Sequence, residues 1–100
     1  MCSNFVYILY SNRIDRYYIG QTHDVEERLI KHNTGYYEDK WSEKGKPWVV
    51  FMTIECETKP QAIAIERHIK NMKSRVYIEN LKKYPEIIVK LKQKFSSLDS

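Results

Sequence analysis

Tyr7, Tyr18, Arg28, His32 and Glu66 are side chains of the types that move protons, bind oxyanions or hold a hard cation. Arg28 and His32 stand one helical turn apart, so a helix through them presents a guanidinium and an imidazole on one face. A guanidinium grips a phosphate through two parallel donors, and an imidazole exchanges a proton near neutral pH. A carboxylate such as Glu66 offers oxygen to a hard divalent ion. A phenol, with an ordinary pKa of about 10, acts as a base only where neighbouring cations favour its phenolate. Each of these roles requires a scaffold that turns the group inward.

The elements that would do so can be read along the chain. Phe5-Val6-Tyr7-Ile8-Leu9-Tyr10 is apolar on both parities, which suits a central strand covered on two sides. Residues 11–15 supply turn chemistry, so 4–11 and 16–21 are expected to form an antiparallel hairpin. Antiparallel partners keep a constant index sum; if Ser11 faces Arg16, then Tyr7 faces Gly20, and Tyr7 and Tyr18 point to one side of the sheet. In Arg16-Tyr17-Tyr18-Ile19-Gly20-Gln21-Thr22 the glycine marks a turn, a bulge or a close approach by another group. Asp24 with Glu27 caps a helix over 25–33, in which His32 falls at the angular position of Val25 and Leu29. Residues 34–47 read as a long polar loop carrying Tyr36, Tyr37, Lys40, Trp41, Lys44 and Lys46, and 48–55 as a third strand. Thr58, Pro60 and Gln61 open a helix through Lys73 with an apolar stripe of Ala62, Ile65, Ile69 and Met72; Glu66 lies about 70° from the middle of that stripe. Ser74 caps a further helix to about Tyr84, and Pro85 begins a last one carrying Ile87, Ile88, Leu91 and Phe95. The expected fold class is α+β, a small three-stranded antiparallel sheet flanked by helices. Residues 1–100 read as one domain, with a core over about 4–84 and a C-terminal helix over about 85–95.

A chain of 100 residues has room for one modest core. No apolar run reaches the ~18 residues of a membrane span, and the opening Met-Cys-Ser-Asn-Phe lacks the features of a signal peptide. Cys2 and Cys56 have neither CxxC spacing nor the density of a disulfide scaffold, so a reducing, cytoplasmic setting is expected. Charge is unevenly spread. From Arg67 to Lys94 there are nine Lys or Arg against two acids, whereas Met1 to Ile30 carries three Arg against four acids. Clustering of this kind is the footprint of a polyanion partner, nucleic acid above all, and equally of a solvated helix face.

Singly, every candidate has an ordinary role: His32 as a hydrogen-bonded histidine at the core's edge, Arg28 in a surface pair with Glu26 or Glu27, the tyrosines in cross-strand packing, Glu66 paired with Lys70. Together they are an unusual density of inward polar groups for so small a core.

Taken in order and spacing, they resemble the GIY-YIG nuclease superfamily, whose two name-giving elements lie on adjacent strands. Here these elements stand as Phe5-Val6-Tyr7, which keeps the tyrosine and lacks the glycine, and as Tyr18-Ile19-Gly20. The resemblance runs from about Phe5 to Leu81. It implies that Tyr7, Tyr18, Arg28, His32 and Glu66 are catalytic, with Glu66 the metal ligand, and that Tyr18 points into the site while Gly20 lets substrate or a helix come close. Several relatives carry a lysine after that glycine, where this chain has Gln21; Asn80 is the candidate for an asparagine that often completes the site.

The implied function is a metal-dependent endonuclease that hydrolyses phosphodiester bonds in DNA, with a place in repair or recombination. One Mg²⁺ or Mn²⁺ ion at Glu66 suits the chemistry better than zinc. Arg28 would bind the phosphate, one of the tyrosines would act as base, and His32 would relay its proton or orient the water. Gly20, Gln21, Tyr36, Lys40, Trp41, Lys70, Lys73, Arg75 and Asn80 are expected to contact nucleic acid, and a protein partner would supply targeting. The contrasting readings are a nucleic-acid-binding module that has kept the fold without turnover and a small α+β interaction protein.

Overall fold

The computed structural model describes residues 4–34 and 44–96. Strands β1 (Asn4–Ser11) and β2 (Arg16–Thr22) form the expected hairpin, with Ser11 opposite Arg16 and Tyr7 opposite Gly20. The turn closes through Asp15 in the left-handed region (φ 53°) and through the Ile14 amide donating to Ser11 Oγ at 3.2 Å. A short polar residue tolerates that backbone where a branched one would not. Strand β3 (Trp48–Cys56) joins the other side of β1, antiparallel, so the order is β2-β1-β3 and β1 is central. Its register shifts by one residue between Ile8 and Leu9, a β-bulge that leaves Phe51 without a direct partner in the β1–β3 ladder.

Helix α1 (Val25–Asn33) is capped by Asp24, whose Oδ1 accepts from the Glu27 amide at 3.0 Å. Helix α2 (Lys59–Met72) is capped by Thr58, and α3 (Arg75–Lys83) by Ser74. Helix α4 (Glu86–Lys94) follows Pro85. The two faces of the central strand go to different partners, as apolar residues on both parities require. Val6 and Ile8 pack with Ile54, Ala62, Ile65, Ile69, Ile78, Leu81 and Leu91, joining the sheet to α2, α3 and α4. Tyr7 and Leu9 pack with Trp48, Tyr18, Val25 and Leu29, beneath α1. No helix of the described residues is long and apolar enough to cross a membrane.

One position of the expected core is corrected. Met72 is 44 % exposed, because α2 ends there and Lys73 turns into the left-handed region (φ 48°), taking the chain off the sheet. Gln61 is buried at the other end of the same helix. Its Oε1 accepts from the Glu57 amide at 2.7 Å and its Nε2 donates to the Lys92 carbonyl at 2.9 Å, so one amide ties the start of α2 to α4. Gln61→Ala should therefore leave two backbone groups poorly satisfied and lower unfolding stability by about 1–3 kcal/mol. A urea midpoint equal to that of the wild type would refute this role.

Candidate active site

The register of the hairpin builds the centre of the site. Tyr7 and Tyr18 lie on the α1 side of the sheet with ring centroids 6.3 Å apart and planes 22° from parallel. For the Tyr7 ring to lie this way it must cross β2, and it does so over Gly20: a Cβ at that position would stand 2.5 Å from Tyr7 Oη and 2.6 Å from its Cζ. The space over Gly20 is thus filled by the Tyr7 phenol, not by a helix or a substrate.

Helix α1 lays His32 on this pair. The imidazole is 1 % exposed, its Nε2 lies 3.4 Å from Tyr7 Oη, and its centroid is 4.3 Å from that of Tyr18 in an edge-on contact. Arg28, one turn earlier, is half-buried with its Nε enclosed by protein. The last turn of α1 is fixed to β3 by Asn33, whose Oδ1 accepts from the Trp48 amide at 2.6 Å and whose Nδ2 donates to the Trp48 carbonyl at 3.0 Å. An asparagine side chain here does what a partner strand's peptide group does in a ladder. Trp48 is fully buried, 6.1 Å from Tyr18 and 6.2 Å from His32 between ring centroids, and Gly45 gives its indole room where a Cβ would collide.

The other candidates come from the far side of the sheet and meet the first at the free edge of β2. Tyr17, Tyr18 and Ile19, whose side chains alternate between faces, line with Lys70 a hollow of about 290 Å³, so this hollow straddles the edge. Lys70 Nζ holds Glu66 Oε2 at 2.7 Å, one turn back on α2. A second hollow of about 220 Å³ shares Tyr17, Ile19 and Lys70 and runs on past Arg16, Lys73 and Arg75. The two adjoin along β2, with Tyr18 at one end, a cluster of cations at the other, and Lys70, which carries Glu66 as its ion-pair partner, bordering both.

Arg75 is engaged within the protein. It donates to both oxygens of Asp15 at 2.7 and 3.0 Å, tying α3 to the hairpin turn. The bidentate guanidinium holds the Asp15 carboxyl down to about 2, with the Tyr10 hydroxyl adding a donor at 2.6 Å. Gln21 is half-buried at the end of β2, and because it pairs with Val6 it shares the face that α2 covers. Asn80 sits on α3, half-buried. Tyr36, Tyr37, Lys40 and Trp41 lie outside the described residues. From the sequence, Asn33 only closes the expected helix and Trp48 only opens the expected third strand, with no part in the site for either. The adjacency of Asn33 to His32 was the available signal, but only the fold shows that its amide receives a strand's backbone.

A family model described as the GIY-YIG catalytic domain matches residues 3–83. A UPF0213 protein of Syntrophus aciditrophicus (strain SB) is 29% identical over 86 residues, covering 86% of this chain and 98% of that protein. No solved structure matches the chain.

Two measurements test this geometry. Gly20→Ala should cost about 1–3 kcal/mol, as overpacking does, and most of that cost should disappear in a Tyr7→Ala background; additive costs would mean that the two positions do not compete for space. Asp15, with its folded pKa below its unfolded one, contributes stability that is complete above about pH 4 and lost as pH falls through about 2. A carboxyl NMR titration should place its midpoint near 2, moving towards the ordinary 3.9 or so in Arg75→Met. An unchanged midpoint in that variant would assign the depression to some other group.

Proposed function

The chain belongs to the GIY-YIG family, a nuclease family, and from this premise we propose that it is a divalent-metal-dependent endonuclease that hydrolyses phosphodiester bonds in DNA, with a role in repair or recombination. The observation that carries the reading is the groove at the β2 edge. There Tyr18, backed by His32 and Tyr7, faces Lys70 and through it Glu66, and a run of cations continues the same wall.

Glu66 suits a hard cation taken up with substrate. Among the described residues no group of three or more His, Cys, Asp or Glu is placed to enclose a metal, as a zinc site would need. A single carboxylate at a groove, with water and a substrate phosphate completing the shell, is how Mg²⁺ or Mn²⁺ is commonly held. Such an ion, held by Glu66, would supply charge neutralisation at the phosphoryl oxygens.

The protein's own groups divide the remaining work. Arg28 presents a guanidinium to a phosphoryl oxygen from the α1 side. Tyr18 borders the groove and orients the attacking water. Tyr7 lies behind it with His32 Nε2 beside its hydroxyl, so a proton accepted from water by a phenolate can be passed to the imidazole. Trp48 and Gly20 keep these rings in place, and burial strengthens every charge interaction among them. Lys70, Lys73 and Arg16 give the flanking phosphates a basic wall, so binding should fall steeply with salt.

Purified protein should cut members of a panel of duplex, flap, branched and single-stranded DNA with Mg²⁺ or Mn²⁺ and none with chelator. Glu66→Gln should bind but not cut, and Arg28→Ala should lose about 10²–10³ in rate. Wild type that binds every substrate and cuts none with either metal would replace this reading with that of a binding module.

A further inference from the structure

Lys70 is the cation that borders both halves of the groove, and its ammonium lies 2.7 Å from the Glu66 carboxylate. The pair is unequal: the Glu66 side chain is 17% exposed and that of Lys70 50%. The acid is therefore the more enclosed partner, and the base covers it from the solvent side, where it borders the groove. A divalent cation approaching this carboxylate meets a like charge already on its Oε2, and because two cations on one carboxylate repel each other at close range, its binding favours displacement of that charge. A lysine has a flexible stem and a point charge with no fixed geometry, so it gives way readily. It can turn outward to water or along the groove, whose wall carries Lys73 and Arg16 beside Tyr17 and Ile19.

We propose that Lys70 is a displaceable counter-ion of Glu66: it neutralises the carboxylate until a divalent cation takes its place, then turns into the groove and binds a phosphate of the nucleic-acid backbone. The inference rests on the reading of Glu66 as the residue that holds the metal. It makes metal uptake and substrate grip one event. Without metal, the negative charge that would repel the backbone is cancelled; with metal, an additional cation is released to hold that backbone. An ordinary helical surface pair has the same contact but neither consequence.

The test titrates the 100-residue chain with Mn²⁺ in the absence of nucleic acid, following free Mn²⁺ by electron paramagnetic resonance. Lys70→Met should bind Mn²⁺ about three- to fivefold more tightly than wild type, the factor that a partly screened ion pair represents. Lys70→Arg, which restores the charge, should return to wild-type affinity, and Glu66→Gln should lose the site. Oligonucleotide binding is then measured in an Arg28→Ala background, to suppress cutting. There Lys70→Met should reduce the salt slope by about 0.7–0.9, one phosphate contact, with Mn²⁺ present and leave it unchanged with chelator. Equal Mn²⁺ affinity in wild type and Lys70→Met, with the site lost in Glu66→Gln, would overturn the counter-ion role and leave the nuclease reading standing. Lys70→Arg behaving like Lys70→Met, or a salt slope that Lys70→Met lowers equally with and without metal, would also overturn it. Mn²⁺ binding that survives Glu66→Gln would overturn the counter-ion role and the metal assignment together.

Discussion

The arrangement depends on one steric fact: the Tyr7 phenol occupies the space where any residue other than glycine at position 20 would carry its Cβ. Because β1 and β2 pair with Tyr7 opposite Gly20, the ring lies flat across the neighbouring strand instead of standing clear of the sheet. Tyr18 can then stack beside it, and His32 can descend from α1 onto both. A register slipped by one residue would send Tyr18 to the opposite face and dissolve the cluster. The hairpin turn guards against this, since Asp15 in its left-handed conformation is fixed by Arg75 and Tyr10.

A small domain has little interior in which to bury polar groups, and this one separates its duties by face. The Val6 and Ile8 side is aliphatic and holds three helices together. The Tyr7 and Leu9 side is aromatic, with the imidazole of His32 enclosed among Tyr7, Tyr18 and Trp48. Glu66 belongs to the aliphatic layer by its helix, and it is its partner Lys70 that reaches the β2 edge from that side. An edge strand leaves backbone groups unpaired and invites contact from another chain. Here basic side chains and the Tyr17 ring shield that edge, and the same side chains make it a groove.

Much of this was legible in the chain. Caps at Asp24, Thr58 and Ser74 act within a few residues, so their chemistry can be read locally, and all three accept the expected amide. The register followed from the turn, and the common face of Tyr7 and Tyr18 from the register. Long-range fits were not legible. Gly20 was open to several explanations because nothing in its neighbourhood says that a ring from another strand will fill it. Met72 fits the apolar period and is exposed, because a period does not say where a helix stops. Trp48 and Asn33 are fifteen residues apart in the chain and meet only through the fold.

Charge shows the same difference between composition and place. The basic C-terminal third, seen as a count, suggests one docking surface, yet its members have separate duties. Lys82 sits over the Phe51 ring at 4.7 Å, Lys83 over Tyr84 and Lys94 over Phe95, contacts that cover aromatic surface with a charged tip. Arg75 lies over Tyr17 and is committed to Asp15, with Glu79 3.7 Å away, so its first duty is to close the hairpin onto α3. Lys70 and Lys73 remain at the groove, joined by Arg16 from outside the basic third. The field that a polyanion would meet is therefore set less by the nine cations of that segment than by the few that the β2 edge gathers from β2, α2 and the junction between α2 and α3.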